Sequence, residues 1–181
     1  MKLEWSRPRK VLLGVLLLAS TPAAADGPAR EYVVKAAFLY NFTQFVTWPN
    51  NTYSSADAPF VVAVLGDDPF DGALEEAMQG KTAEDRPIVV KHFASTDEMG
   101  PCQVLFVPQS QDSELPALFG KLGTIPVLTV GESEQFLPAG GGIRFLLEDN
   151  RIRFEISPAA TDAARLKVSA KLMKLARIYQ R

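Results

Sequence analysis

The chain has 181 residues, a formal net charge of −2, 47% hydrophobic and 22% charged side chains, and a mean hydropathy near zero. This is the make-up of a soluble globular domain, and the length suits one domain rather than several. The acidic excess disfavours nonspecific nucleic-acid binding, and a single histidine with a single cysteine leaves too few soft ligands for structural zinc.

At the start, Lys2, Arg7, Arg9 and Lys10 precede the apolar run VLLGVLLLA, and STPAAA follows, ending on Ala23, Ala24 and Ala25. This is the layout of a secretory signal peptide over residues 1–25, with cleavage expected before Asp26. A run of nine apolar residues falls short of the roughly 20 that a spanning helix needs, so export rather than anchoring is expected. The domain left behind, residues 26–181, carries 15 basic and 20 acidic side chains, a net charge of −5. Export ordinarily invites disulfides, yet Cys102 is the only cysteine, so no bridge forms within the chain. It opens the apolar run CQVLFV and is read as a buried small hydrophobe, the other reading being an intermolecular link.

The first long apolar stretch is KAAFLYNFTQFVTWP, Lys35 to Pro49. A membrane-lying helix, a ligand-stacking surface and a core helix compete for it. From Glu31 to Trp48, Val34, Phe38, Leu39, Phe42, Phe45 and Val46 fall on one arc, with Thr43, Gln44 and Thr47 opposite. A membrane-lying helix wants a cationic polar face, which is absent, so a core helix is predicted, ending at Trp48-Pro49. Lys35 interrupts the arc where it can snorkel to water. Asn41 interrupts it in the middle and, if buried, needs partners.

After the polar stretch NNTYSSADA, PFVVAVLG reads as a buried strand. Asp67-Asp68-Pro69 reads as a helix cap leading into FDGALEEAMQ. RPIVVKHF and CQVLFVP follow as strands, SELPALFGKL as a helix ended by Gly123, and IPVLTVG as another strand. The short ESEQFL leads to Gly140-Gly141-Gly142, expected to supply positive φ angles in a tight turn. GIRFLL and RIRFEI, joined through Glu148-Asp149-Asn150, form a predicted antiparallel hairpin. From Pro158 a terminal helix is expected, with Leu166, Ala170, Leu172, Met173, Leu175 and Ala176 on one side and Lys167, Lys171 and Lys174 on the other. Strands alternating with helices predict a single α/β domain, with a mixed sheet of about six strands and helices on both faces. It is Rossmann-like in layering but has no nucleotide site.

Chemistry-bearing patterns are sparse. His92 sits in a strand pattern, no G-x-S-x-G elbow accompanies it, and it reads as a sheet-edge or solvent-facing polar residue. The glycine triplet precedes a strand rather than a helix, and no Walker or G-x-G-x-x-G pattern occurs. Asp67, Asp68 and Asp71 match no EF-hand loop. No catalytic, cofactor-binding or metal residue is therefore assigned. The stripe Lys167, Lys171 and Lys174 is either a solvated helix face or a docking patch, and Ile178 among the cations points to docking.

Taken in order, KAAFLYNFTQFVTWP after a signal peptide, VLGDDPF, CQVLFVP, PVLTVGE, GGGIRF, RIRFEISPAA and LKVSAKLMKLA resemble the YfiR-like family of periplasmic proteins across essentially the whole mature chain. The resemblance implies a periplasmic repressor that binds the periplasmic sensor region of a membrane-bound diguanylate cyclase and lowers cyclic-di-GMP output, with no cofactor and no catalysis. It leaves open an outer-membrane lipoprotein as a second partner, and a homodimer. The better-known members of the family carry cysteine pairs, and only Cys102 remains here, so redox sensing through a disulfide within one chain does not carry over. The expected partner surface is Arg151, Arg153 and Glu155 on one face of an edge strand, with Lys167, Lys171 and Lys174 of the terminal helix. The competing reading is a periplasmic small-molecule sensor without a cyclase partner, which a deep apolar pocket with convergent polar groups would favour.

Overall fold

The computed structural model describes residues 27–180, so the expected signal peptide lies outside the described residues. Among them no helix is long and apolar enough to cross a membrane.

The first helix, α1 (Pro28–Phe45), ends three residues earlier than the Trp-Pro signal suggested. The β-branched pair Val46 and Thr47 instead forms β1 (Val46–Thr47). A 3-10 turn at Asn50–Thr52 leads to β2 (Phe60–Leu65), whose six residues are all buried, as in a central parallel strand. The Asp67-Asp68-Pro69 segment does not cap the next helix. The Asp68 carboxylate accepts a hydrogen bond from the Phe70 amide, and α2 (Ala73–Met78) starts only after Gly72, at φ +84°. Next come β3 (Thr82–Ala83), β4 (Arg86–Phe93), β5 (Val104–Val107), a 3-10 segment at Gln109–Glu114, α3 (Leu115–Leu122), β6 (Leu128–Gly131) and α4 (Phe136–Ala139). The hairpin is present as β7 (Ile143–Glu148) and β8 (Arg151–Ile156). Its two-residue turn puts Asp149 and Asn150 at φ +48° and +57°, the left-handed pair of a type I′ connection.

Of the glycine triplet only Gly140 has positive φ, at +119°. Gly141 is needed for space, since a Cβ there would run into the Phe136 ring, and Gly131 is crowded by the same ring from β6. Two glycines therefore make room for one buried aromatic.

The terminal helix expected from Pro158 is broken. The chain runs as α5 (Pro158–Ala163), β9 (Lys167–Val168), α6 (Ala170–Leu175) and β10 (Arg177–Ile178). Ser157 and Ser169 each cap a short helix through the hydroxyl, and Arg165 takes φ +57° between them. Pairing decides the matter: β9 pairs antiparallel with β1 through Val46–Val168 and Thr47–Lys167, and the Ser169 amide donates to the Phe45 carbonyl. Helix propensity yields to these partners, as it does wherever tertiary contacts outweigh it.

The main sheet has eight strands in the order β10-β8-β7-β6-β5-β2-β4-β3. Its six strands of four or more residues are those expected, and β3 and β10 add two-residue edges. β2, β4, β5 and β6 are mutually parallel, with β7–β8 antiparallel. Residues of β2 alternate between two cores: Phe60, Val62 and Val64 pack with α1, α2 and α6, and Val61, Ala63 and Leu65 with α3 and α4. Helices thus lie on both faces.

The arc of α1 is rotated from the expected one. Lys35, Ala36, Leu39, Phe42 and Thr43 are buried, whereas Val34 and Asn41 are exposed. Lys35 does not snorkel to water, being 3% exposed and ion-paired. Trp48, at the end of the motif, is 3% exposed and donates its indole N–H to the Gln103 carbonyl at 3.0 Å. It meets the Phe60 ring edge-on at 4.9 Å.

Candidate functional site

The expected partner residues occupy two faces of the sheet. In the β7–β8 register Ile143–Ile156, Phe145–Phe154 and Leu147–Ile152 share one face, and Phe145, Phe154 and Ile156 pack in the α1 core. The intervening pairs Arg144–Glu155, Leu146–Arg153 and Glu148–Arg151 therefore point away from α1. The lysines lie on the α1 side, since Lys167 is in β9 beside Thr47 and the Lys171 ammonium sits 5.0 Å over the Phe45 ring. Lys174 is exposed on α6, followed by Leu175 at 68% and Ile178 at 40% exposure. Arg151 and Arg153 belong together, as do Lys167 and Lys171, but the two groups do not form one patch.

β8 is not an edge strand along its whole length. β10 pairs parallel with it at Arg177–Glu155 and Ile178–Ile156, covering its last two residues, and no strand covers the outer side of Arg151–Phe154 among the described residues. Glu155 is consequently buried and accepts from Arg144 at 2.6 Å, with Arg177 at 3.5 Å. Arg177 also pairs with Glu148, and these carboxylates hold its guanidinium in the charged form, raising its pKa. Arg151 and Arg153 are exposed. Beside the hairpin turn an open groove of about 680 Å³ runs against the first turns of α1, bordered by Glu31, Val34, Leu147, Arg151 and Ile152.

A second polar cluster sits at the carboxyl ends of β5 and β6. The Lys35 ammonium lies 2.5 Å from both Glu31 and Glu132 and 4.4 Å from the Tyr32 ring centre. Glu132, directly after β6, also accepts from the Tyr32 hydroxyl and the Gln109 amide, each at 3.2 Å. Burial first, and then the Glu132 charge, push the Tyr32 pKa upward, so its hydroxyl stays a donor. The Glu31–Lys35 spacing of four is legible in the sequence. Glu132, 97 residues away, is not.

Between α3, α4 and α5 lies a cavity of about 300 Å³ with walls that include Phe119, Leu128 and Leu137, and with Thr129, Ser157 and Thr161 among its polar groups. The Ser157 hydroxyl is used by the Ala160 amide and that of Thr129 by the Gly142 amide. Cys102 is buried at the wall of another cavity, near the amino ends of β5 and β6, as the sequence led one to expect. Burial pushes its thiol up to about 12, Lys91 opposing slightly. At pH 8 only ~10⁻⁴ of the thiol is then ionised, so the native protein should resist a disulfide-exchange reagent such as DTNB and react fully once denatured. Rapid reaction of the native chain would show that the strand end opens.

For a metal, Asp68, Glu75 and His92 are the described His, Cys and carboxylate side chains whose donor atoms gather within 4.8 Å of one another. His92 is exposed on β4, as expected, and its ring bonds to Glu75 rather than to a hydroxyl or thiol. The arrangement has the carboxylate partner of a catalytic triad but not the nucleophile.

A family model described as YfiR/HmsC-like matches residues 32–177 of the 181-residue chain, from α1 through Arg177 of β10. No curated protein matches the chain.

Proposed function

This chain belongs to the YfiR/HmsC-like family, and on that premise we propose that it is a periplasmic negative regulator. It binds the periplasmic sensor region of an inner-membrane diguanylate cyclase and lowers cyclic-di-GMP signalling. The observation that carries the reading is the family match from residue 32 to residue 177, which takes in both sheet faces and the C-terminal segment. Repression is a population shift: the protein binds the inactive arrangement of the cyclase better than the active one and stabilises it by that difference. The signal peptide of residues 1–25 delivers it to the periplasm, an outer-membrane lipoprotein is a candidate sequestering partner, and a homodimer is a candidate assembly.

The contact surface in this reading comprises two patches, Arg151 and Arg153 on one sheet face, and Lys167, Lys171 and Lys174 on the other; Glu155, expected beside the arginines, is buried and paired with Arg144 and Arg177. What supports the lysine patch is its company: Leu175 and Ile178 are large apolar residues left uncovered on the same segment. What supports the arginine patch is the open groove at the hairpin end, which Arg151 borders and where Val34 and Leu147, on the α1 side, are 37% and 57% exposed. Desolvated apolar anchors ringed by charge are the usual composition of an interface centre.

The test is a pull-down with the cyclase's periplasmic segment, together with cyclic-di-GMP measured in cells. Arg151→Glu with Arg153→Glu, and separately Lys171→Glu with Lys174→Glu, should each weaken capture at least tenfold and raise the second messenger. If both pairs capture and repress like the parent, the surface is elsewhere; if gene deletion leaves the second messenger unchanged, the cyclase reading fails.

A specific observation favours a second reading, a periplasmic small-molecule sensor. The cavity between α3, α4 and α5 is about 300 Å³ in volume and has a mixed wall, with Phe119, Leu128 and Leu137 beside the hydroxyls of Thr129, Ser157 and Thr161. A ligand held there would raise the melting temperature of the purified protein whether or not a cyclase was present.

A further inference from the structure

We infer that Asp68, Glu75 and His92 form a surface site for a divalent transition ion, with Zn²⁺ as the ion best suited to it. The three side chains come from three elements: the loop leaving β2, the helix α2, and the strand β4. Pairing of Val64 with His92 brings the only histidine in the chain beside the carboxyl end of β2, where the Asp68 loop begins. The two nitrogens of its ring each face one carboxylate. Nε2 lies 2.8 Å from Glu75 Oε1, and Nδ1 lies 4.0 Å from Asp68 Oδ2. Asp68 is oriented by its other oxygen, which accepts from the Phe70 amide at 2.9 Å.

Donor atoms bound at 2.0–2.2 Å to a tetrahedral Zn²⁺ stand roughly 3.4 Å apart. One atom from each of these three residues already lies within 4.8 Å of the other two. The remaining adjustment is a side-chain rotation at the exposed Glu75 and His92, with Asp68 held by the Phe70 amide. One imidazole with two carboxylates suits a borderline ion better than Mg²⁺ or Ca²⁺, which take oxygen donors. Three protein ligands leave at least one coordination position for water or for a group on a partner. The two carboxylates cancel the charge of the ion. The sequence concealed the set because its members are 7 and 17 residues apart along the chain and no ligand spacing repeats.

Titration calorimetry with ZnSO₄ on the untagged chain of residues 26–181 tests this. The expected result is one equivalent bound at micromolar concentration. Affinity should weaken at least about tenfold in His92→Gln and in Asp68→Asn, and the parent should bind Mg²⁺ far more weakly. Because no other histidine is present, the ring resonances of His92 should be the imidazole signals that move on titration. All three positions are exposed, so the metal-free variants should melt like the parent. Absence of saturable Zn²⁺ binding would overturn the site. So would one equivalent bound with unchanged affinity in both variants, or Mg²⁺ binding as tight as Zn²⁺.

Discussion

Replacing Trp48 with alanine is expected to lower the unfolding free energy by about 4 kcal/mol, since large-to-small changes at buried aromatics cost roughly 3–5 kcal/mol. The melting temperature should fall by about 8–16 °C, at roughly 2–4 °C per kcal/mol for a domain of this size. The indole joins three parts of the fold. It packs edge-on against Phe60 of β2 and donates to the Gln103 carbonyl, and the backbone amide of Trp48 donates to the Glu84 carboxylate at 3.1 Å. Gln103 is itself a junction, because its side-chain oxygen takes the Val61 amide at 2.7 Å and its carbonyl also takes the Leu128 amide at 2.8 Å. Loss of Trp48 therefore opens a cavity where β2, β5 and β6 begin. Trp48→Phe separates the contributions: it keeps most of the packing and removes one hydrogen bond, and about 1 kcal/mol should go. Calorimetric melting of both variants checks this, and equal losses in the two would mean that the hydrogen bond, not the packed volume, sets the cost.

The second large effect is expected at Lys35. Lys35→Met should cost about 3 kcal/mol, because removing one member of a buried ion pair leaves the other charge uncompensated. The Lys35 side chain is 4% exposed and its ammonium stands between Glu31 and Glu132, whose side chains are 33% and 13% exposed. Without it two carboxylates face each other beside Tyr32, with only the tyrosine hydroxyl and the Gln109 amide left to Glu132. Adding Glu132→Gln should recover roughly 1 kcal/mol or more, since the neutral amide no longer needs a cation. Strict additivity of the two changes in denaturant unfolding would show that Lys35 contributes by packing alone. The network matters beyond stability, because it fastens the first turns of α1 to the carboxyl ends of β5 and β6, next to the groove beside the hairpin turn.

Legibility in the sequence followed the range of the interaction. Val-rich runs bounded by proline and glycine marked the buried strands, because a strand covered on both faces needs no polar alternation. Asp149-Asn150 marked the hairpin turn, because those residues tolerate the left-handed conformation a two-residue connection requires. Cys102 in an apolar run was read as buried, and it is. Helical periodicity placed α1 in the core but misjudged its facing by about one residue. Val34 and Lys35 are neighbours on the helix, and which of them turns inward depends on Glu132 waiting across the sheet.

The sequence by itself determined the alternation of strands and helices, the late hairpin and the family pattern, since these rest on residue spacing and local backbone preference. Only the tertiary structure decided that Lys35 is buried and Asn41 exposed, that the C-terminal segment breaks at Arg165 to lend β9 to β1 and β10 to β8, and that the arginine and lysine patches lie on opposite faces. It also decided that His92 meets Asp68 and Glu75. The physical reason is common to all of these. A charge, a strand edge or a ligand atom takes its place from whatever lies opposite it in space, and that partner is not a neighbour along the chain.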